Sequence, residues 1–512
     1  MKKLAILFIV ALAMPNLKAQ DITDAVRYAT DDVQGTARFR AMSGAFGALG
    51  GDMSAVSINP AGSAVFNSSH ASLSLSSLNT SNDVRFFNGL TSSNDSKLDI
   101  NQAGGAFVFK NYDESSKWRK FALSIAYDKT ANYDNDWVAS GINFNPNTET
   151  GNSIGNYFLE QAQGLRLDEI SAFPGESITE AYADIGAVFG FANQQAFLGF
   201  ESYILEPDAD TDDNTSYTSN IADGEFNQRY SYIATGYNGK FSFNASTQYG
   251  ENLYLGVNIN THFINYERAT LLDETNNNTG SIVTDVRFEN SLFTTGTGIS
   301  FQLGAITKLN DVIRLGFTYN SPTWYRITEE TAQFLATTRD DGGSIITEII
   351  NPNIISIFPE YRLKTPSKIT GSLALVFGDQ GLISFDYSRK DFGNTEFRPT
   401  SDTFFAAQNN IISDNLKVAS SYRVGGEYRY KQLSFRGGYR LDESPYEDEN
   451  FYGDLTGYSF GLGYNFGDFK LDLAVENSQR EINERLYNVG LTDAATLDIN
   501  NTDVTLSVAF NI

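Results

Sequence analysis

The sequence has 512 residues, no cysteine and a formal net charge of −25 at pH 7. The lack of cysteine excludes disulfide bonds and thiol chemistry, and the acidic balance argues against nucleic-acid binding, which needs a basic surface. After the N-terminal leader, no run approaches the ~18 consecutive apolar residues of a membrane-spanning helix, and the mean hydropathy is −0.29.

Residues 1–19 are predicted to be a secretory signal peptide. Lys2 and Lys3 precede an apolar run over residues 4–14, and a small-residue site ends at Ala19. We therefore expect the mature chain to be exported. An exported chain without an apolar helix is either soluble or a transmembrane β-barrel.

Residues 20–69 are predicted to form a small N-terminal plug, or hatch. Its central part is rich in Gly and Ala, which permit sharp turns and close packing of the backbone. Pro60 fixes its own φ and keeps Asn59 out of helical geometry, so that the Asn59 amide can hydrogen-bond to a surrounding wall. A flexible periplasmic tail is the alternative interpretation of the same composition.

Residues 70–512 are dominated by segments in which apolar side chains alternate with small or polar ones. In the last segment Val504, Leu506 and Val508 alternate with polar residues. This period of two is typical of β-strands with one apolar face. We count fourteen such segments, an even number that lets an up-and-down barrel begin and end on one side of a membrane. They are residues 70–78, 101–110, 119–130, 229–248, 251–270, 281–306, 311–328, 366–378, 381–398, 417–430, 432–441, 457–467, 469–485 and 501–512.

Short turns and long polar connections alternate between these segments, as they do in outer-membrane barrels. We predict periplasmic short turns and extracellular loops at residues 79–100, 131–228, 271–280, 329–360, 399–416, 442–456 and 486–500. The strands of secreted β-sandwiches also alternate apolar and polar side chains. Here, however, Arg423, Glu427 and Arg436 lie on the non-apolar faces, which suits the water-filled lumen of a barrel. The sequence therefore predicts an all-β, transmembrane, antiparallel up-and-down barrel of about 14 strands over residues 70–512.

Two of the long loops, residues 131–228 and 329–360, are predicted to carry helical insertions. Apolar residues recur at helical spacing in residues 178–205, and residues 329–360 hold a cluster of isoleucines. These apolar surfaces either pack on each other and cover the barrel mouth, or leave a groove for an apolar ligand. The candidate groove residues are Ile185, Phe189, Ile346, Ile350 and Phe358.

Two motif-like stretches do not predict chemistry. Residues 151–155 read G-x-S-x-G, but polar loop rather than an apolar strand precedes Ser153, and only His70 and His262 are available as a base. Residues 208–214 alternate oxygen-bearing side chains as a calcium loop does, but the chain lacks the Gly and Glu that such a loop requires. A solvated acidic tip and weak divalent binding both stay open there. We expect no catalysis, no cofactor and no metal site.

The sequence also resembles the FadL-type outer-membrane transporters of long-chain fatty acids and other hydrophobic compounds. Residues 47–62, which end in Asn-Pro-Ala-Gly, are similar to that family's hatch motif. Further similar stretches follow in order at residues 363–366, 371–377, 385–387, 423–428, 436–439 and 444–445. Residues 20–34 and the long insertion at residues 131–228 depart from the family pattern.

The resemblance implies a fourteen-stranded barrel closed by a hatch, with gating residues Asn59, Pro60, Ala61 and Gly62. It also implies that substrate binds in an extracellular groove, moves to a site beside the hatch and leaves sideways where an early strand kinks inward. We assign this kink to Gly104 and Gly105, because paired glycines weaken a strand.

The resulting hypothesis is passive import of hydrophobic small molecules across the outer membrane of a Gram-negative bacterium. The expected partners are an apolar substrate and the surrounding lipid and lipopolysaccharide, with no nucleic acid, and the protein is expected to be a monomer. A hydrophilic porin or surface-adhesion barrel is the first alternative. A barrel-embedded lipid hydrolase is the second.

Overall fold

The computed structural model describes residues 20–113, 115–144 and 151–512. The predicted signal peptide lies outside the described residues. The described chain forms fourteen wall strands, some of them built from several segments. They are β1 (His70–Phe86), β2 (Gly89–Lys110), β3 (Trp118–Asn132 and Asn135–Asn143), β4 (Phe226–Tyr249), β5 (Leu253–Thr275), β6 (Val283–Lys308), β7 (Ile313–Asn320 and Trp324–Asp341), β8 (Ser344–Ile350, Ser356–Ile357, Tyr361–Lys364 and Lys368–Phe377), β9 (Gly381–Asp391 and Glu396–Arg398), β10 (Val418–Tyr430), β11 (Leu433–Asp442), β12 (Leu455–Asn465), β13 (Phe469–Arg485) and β14 (Ala494–Asn511).

The strands close into a single antiparallel barrel. Each strand pairs with the next along the chain, and β14 pairs with β1, with His70 opposite Asn511. Side chains alternate between the two faces: Phe460 is 64% exposed on the outside, whereas its neighbour Ser459 is fully buried inside. This arrangement confirms the predicted fourteen-stranded up-and-down barrel, because an apolar outer face suits lipid and a polar inner face suits a lumen.

Two of the predicted loops are strands instead. Residues 79–100 form most of the β1–β2 hairpin, and residues 329–360 contain the long hairpin of β7 and β8. The helical interpretation of residues 329–360 was therefore wrong. A spacing of four residues fits the period of a helix and also the period of two of a strand. In this strand Ile346 and Ile350 share one face, and their neighbours face the other way.

The helical insertion predicted in residues 131–228 is present. Seven α-helices lie in the described residues: α1 (Ile22–Ala29), α2 (Ala37–Arg40), α3 (Met53–Ile58), α4 (Ile154–Ala162), α5 (Ile178–Val188), α6 (Phe191–Glu201) and α7 (Thr403–Asn415). Three-residue strands Leu205–Pro207 and Tyr217–Ser219 pair beside α4 to α6, and 3-10 turns lie at Pro60–Val65, Leu167–Glu169 and Phe392–Asn394. None of the described helices has the length and apolar character to cross a membrane.

Helices α4 and α5 begin where the sequence supplies caps. Ser153 and Ser177 each accept a hydrogen bond from the first turn of the helix that follows, and Asn156 and Glu180 complete the two capping boxes. The apolar faces of α4 to α6 then pack on inward side chains of the wall, among them Phe288. The three helices therefore cover the long-loop end of the barrel.

Candidate functional site

The N-terminal plug packs inside the barrel. The 3-10 turn that starts at Pro60 lies directly against β5 and β6, and the wall makes room for it with glycines. A Cβ on Gly256 would lie 2.3 Å from the carbonyl carbon of Pro60, and one on Gly304 would lie 2.1 Å from Asn59 Oδ1. Only a residue without a side chain permits such a close approach of wall and plug.

The Asn59 side chain joins the plug to the wall, as the sequence predicted. Asn59 is fully buried, and its Nδ2 donates to the carbonyl oxygens of Gly47, at 2.7 Å, and of Ala305 on β6, at 3.0 Å. Its Oδ1 accepts from the Ala61 backbone N–H at 3.1 Å and thereby caps the 3-10 turn. The Gly62 carbonyl, in the middle of the turn, accepts from the Gly51 N–H and ties the turn to the rest of the plug.

Two arginines of α2 clamp the plug to the opposite wall. Arg40 is 1% exposed, and its guanidinium pairs with Glu476 on β13 at 3.1 Å and with Asp503 on β14 at 2.5 Å. Arg38 pairs with Glu427 on β10 at 2.8 Å. The alternation of side chains predicted that Glu427 faces the lumen but not which residues it contacts, because nothing in the local sequence shows that the two arginines point outward from the plug.

The wall kinks inward in β3, and β2 has a register shift at Asn101, three residues before Gly104. Gly104 and Gly105 themselves pair regularly with β1 and β3. By contrast, residues 128–131 of β3 are all buried in succession, so the strand has turned its outer face inward. The β3–β4 register shifts around Thr130, and β3 is interrupted between Asn132 and Asn135. The assignment of a kink to the paired glycines stays a prediction.

Pairing between β2 and β3 breaks at this kink. Within the described residues, β2 pairs with β3 only from Gln102 to Lys110, and its upper part, residues 89–101, pairs with β1 alone. Near the hairpin tip, the hydroxyls of Thr91 and Ser93 donate to backbone carbonyls of the second β3 segment. We call the intervening boundary, between residues 94–101 of β2 and 129–135 of β3, the seam.

Two ion pairs cross the seam in place of backbone hydrogen bonds. Lys129 Nζ of β3 lies 2.8 Å from Asp99 Oδ2 of β2, and Lys97 Nζ of β2 lies 2.9 Å from Asp134 Oδ1 of β3. The Lys129 and Asp134 side chains are buried, whereas Lys97 and Asp99 are partly exposed. These pairs could not be predicted from the sequence, since the polar upper part of β2 was interpreted as a loop.

Residues 30–34 cross the lumen between the kink and the far wall; we call them the crossing segment. At one side the Asp32 N–H donates to the Thr130 carbonyl at 2.7 Å, and Asp32 Oδ2 accepts from the Asn132 N–H at 3.0 Å. At the other side the Asp31 carboxylate lies 3.3 Å from Lys368 Nζ and 3.9 Å from Lys390 Nζ.

A cavity of about 90 Å³ adjoins the crossing segment. Its lining carries five cationic side chains, Lys129, Lys240, Lys368, Lys390 and Arg423, and three carboxylates, Asp31, Asp32 and Asp128. An excess of cations is notable in a chain of net charge −25. Partial desolvation inside the lumen by itself would raise the pKa of Asp31, but the lysines around it, Lys368 first, hold this pKa below its ordinary value.

Three of the five predicted groove residues are packed rather than open. Ile185 and Ile350 are buried in one apolar cluster with the cap helices, and Phe358 is 2% exposed. Phe189 is 39% exposed, and Ile346 is half-buried. The arrangement favours the interpretation in which these apolar surfaces cover the barrel mouth.

Ser153 has a structural partner. Its hydroxyl donates to Glu274 Oε1 at 2.5 Å, while the Ile154 N–H donates to the other oxygen of that carboxylate. His70 lies on β1 and stacks on Phe66 of the plug. Within the described ranges, no group of three or more His, Asp or Glu side chains is arranged to hold a metal ion.

Comparisons with known proteins point to one family. A family model described as outer membrane protein transport protein (OMPP1/FadL/TodX) matches residues 202–511, more than half of the chain. A Pseudomonas aeruginosa FadL homologue is similar in structure with a TM-score of 0.53 and 12% identity, over 94% of this chain and 99% of that one. The Pseudomonas putida toluene transporter TodX gives a TM-score of 0.52 and 15% identity over the same shares. A search of curated proteins gave no match.

Proposed function

Because the chain belongs to the family of outer membrane transport proteins described as OMPP1/FadL/TodX, we propose that it imports hydrophobic small molecules passively across the outer membrane. Residues 1–19 are the export signal in this proposal, residues 20–69 are the hatch, and the short turns face the periplasm. The barrel works as a monomer within lipid and lipopolysaccharide. It needs no energy source, because an apolar solute moves down its own gradient.

The preferred substrate in this proposal is an amphiphile with an anionic head, such as a long-chain fatty acid. A pure hydrocarbon has nothing to pair with the cations of the cavity, whereas a carboxylate forms charge-assisted hydrogen bonds with lysine. The apolar part of the substrate then points toward the wall. The cation excess beside the crossing segment supports this choice of headgroup.

The substrate leaves sideways through the seam. The observation that carries this step is the missing β2–β3 pairing beside the cavity, because Lys129 lies in the seam and also lines the cavity. At the seam only side-chain contacts must separate, whereas paired wall strands are joined by ladders of backbone hydrogen bonds that must break before the strands part. Opening the wall at the seam therefore requires the least free energy.

Cross-linking the seam tests this route. The chain has no cysteine, so Asp99→Cys combined with Lys129→Cys places two unique thiols across the seam. A short bis-maleimide added to cells should then lower the uptake rate of a labelled fatty acid about tenfold or more relative to the unlinked variant, equivalent to ~1.4 kcal/mol of added barrier.

The control is a second pair of cysteine substitutions at a place where β2 and β3 are joined by backbone hydrogen bonds. Phe107→Cys with Leu123→Cys joins residues that are direct partners on the lipid face, and linking them should leave uptake unchanged. Equal uptake with and without the linker at the seam would rule out the lateral route. A large, steady aqueous current through the wild-type protein in planar bilayers would instead favour the hydrophilic porin.

A lipid hydrolase is disfavoured as an alternative. Ser153 caps α4 and binds Glu274, so its hydroxyl proton already has an acceptor that holds it in a structural role. Ester cleavage by the purified protein that is lost in Ser153→Ala would revive this function.

A further inference from the structure

The Asp31 carboxylate occupies a site that suits the carboxylate of a ligand. Lys368 on β8 and Lys390 on β9 face it from the wall at 3.3 and 3.9 Å. Both lysine side chains are largely buried, at 22% and 14% exposed, whereas the Asp31 side chain is 46% exposed to the lumen. The cations are thus fixed in the wall, and the anion is accessible from the cavity side.

The backbone around Asp31 is held by contacts that do not involve its carboxylate. Lys390 Nζ also donates to the Ala29 carbonyl at the end of α1, and Asp32 is bound to the β3 kink on both its N–H and its carboxylate. The Asp31 side chain can therefore rotate away from the lysines without displacement of the crossing segment.

The rest of the cavity lining is balanced in charge around the Asp31 site. Arg423 lines the same cavity, and its Nε is buried without a hydrogen-bond partner among the described residues. Lys129 is paired with Asp99, so Lys240 and Arg423 balance Asp32 and Asp128 in the rest of the lining. A second anion that takes the place of Asp31 at the two lysines exchanges one carboxylate for another and conserves the number of ion pairs.

We propose that Asp31 is a built-in counter-ion that fills the carboxylate-binding position at Lys368 and Lys390 and is displaced there by the anionic headgroup of the transported amphiphile. This inference rests on the proposed function. Competition by Asp31 lowers the apparent affinity for the substrate, because only the fraction of molecules with a vacated lysine pair can bind it. Such a weakened site favours release toward the seam over tight retention.

Two ligands that share an alkyl chain but differ in headgroup charge test the proposal. Binding of laurate and of lauryl alcohol to the purified, detergent-solubilised full chain is compared for wild type and Asp31→Asn. The substitution keeps the side-chain shape and removes the competing charge. We expect Kd for laurate to fall about tenfold, in line with a hydrogen bond to a charged group, while Kd for the alcohol stays the same.

Two further variants keep the result interpretable. Asp379→Asn makes the same charge change in the exposed β8–β9 turn and should leave both affinities unchanged. Lys368→Gln should weaken laurate binding about tenfold without an effect on the alcohol. If Asp31→Asn does not fold, this variant tests whether the lysine pair binds the carboxylate of the ligand.

The outcomes separate this inference from the proposed function. If wild type binds both ligands and Asp31→Asn changes neither affinity, or changes both equally, Asp31 is not a competing counter-ion although the protein is a transporter. If wild type binds neither ligand, the proposed function fails and this inference fails with it.

Discussion

At the scale of single residues, the contact between Gly304 and the Asn59 turn decides how closely the plug sits on the wall. Gly304→Ala would place a Cβ 2.1 Å from Asn59 Oδ1 and close to Pro60, so the turn must shift. We expect the free energy of unfolding to fall by about 1–3 kcal/mol, as for other overpacked sites. Urea unfolding of the barrel in lipid vesicles measures the change.

The matched control for this substitution is Gly371→Ala. Gly371 is also a wall glycine, but a Cβ there meets nothing within 4 Å, so its substitution should leave the unfolding midpoint in place. Equal stability of the two variants would mean that the plug turn is not held at Gly304. Reduced fatty-acid uptake by Gly304→Ala alone would further connect the turn with transport.

The structural roles of individual residues could be predicted from the sequence only where one residue type has a distinctive backbone geometry. The Asn-Pro pair at residues 59–60 has restricted backbone geometry, and its predicted contact with the wall is confirmed by the bond to Ala305. Gly104 and Gly105 pair with both neighbouring strands, and the nearest irregularity of β2 is the register shift at Asn101. The kink of β3 near Thr130 has no distinctive residue type that would predict it from the sequence.

At the scale of secondary-structure elements, the ion pairs of α2 hold the plug in the lumen. Arg40→Met removes the 2.5 Å contact with Asp503 and one of the two arginines that pair with buried Glu476, which keeps Arg440 at 3.0 Å, and loss of a hydrogen bond to a charged group costs about 1.5–3 kcal/mol. We expect a lower unfolding midpoint and faster proteolysis within residues 20–69 in the folded barrel. Limited proteolysis followed by mass spectrometry reports the cleavage sites.

An exposed arginine provides the control for the α2 clamp. Arg85 pairs with Glu481 at 3.1 Å, but both side chains are more than half exposed. Exposed pairs contribute roughly 0–1 kcal/mol, so Arg85→Met should change stability little and leave the plug protected. Comparable losses in both variants would show that α2 is not clamped through Arg40.

The element boundaries differ from the predictions for a physical reason. Alternation of apolar and polar residues arises where one face of a strand meets lipid, so the sequence predicted the lower parts of the strands well. Farther up, β1 and β2 have polar residues on both faces, and residues 79–100 carry no apolar alternation although they are strands. Backbone pairing, the ion pairs across the seam and the packing of Val84 and Phe86 on the cap helices hold them, and these contacts with distant segments leave no periodic pattern in the sequence.

At the scale of the whole molecule, the number of strands followed from the sequence but the arrangement of the lumen did not. Counting lipid-facing segments suffices for the barrel, since each wall strand must present one apolar face. The cavity near the crossing segment is lined by residues from β3 to β10 together with residues of the plug. Contacts between such distant segments depend on strand tilt and register, which local patterns do not specify.

The plug determines whether this barrel is a selective transporter or an open pore. Residues 20–66 fill the lumen with buried side chains such as Phe39, Met42 and Phe46, so the wild-type protein should pass little steady ion current in planar bilayers. A variant lacking residues 20–66 keeps every wall strand from β1 to β14 and should conduct strongly, because its lumen is lined by polar and charged side chains. Assembly of this variant is checked by the heat-dependent mobility shift of folded barrels. Low conductance of a correctly assembled variant would mean that the cap of α4 to α6, rather than the plug, seals the barrel.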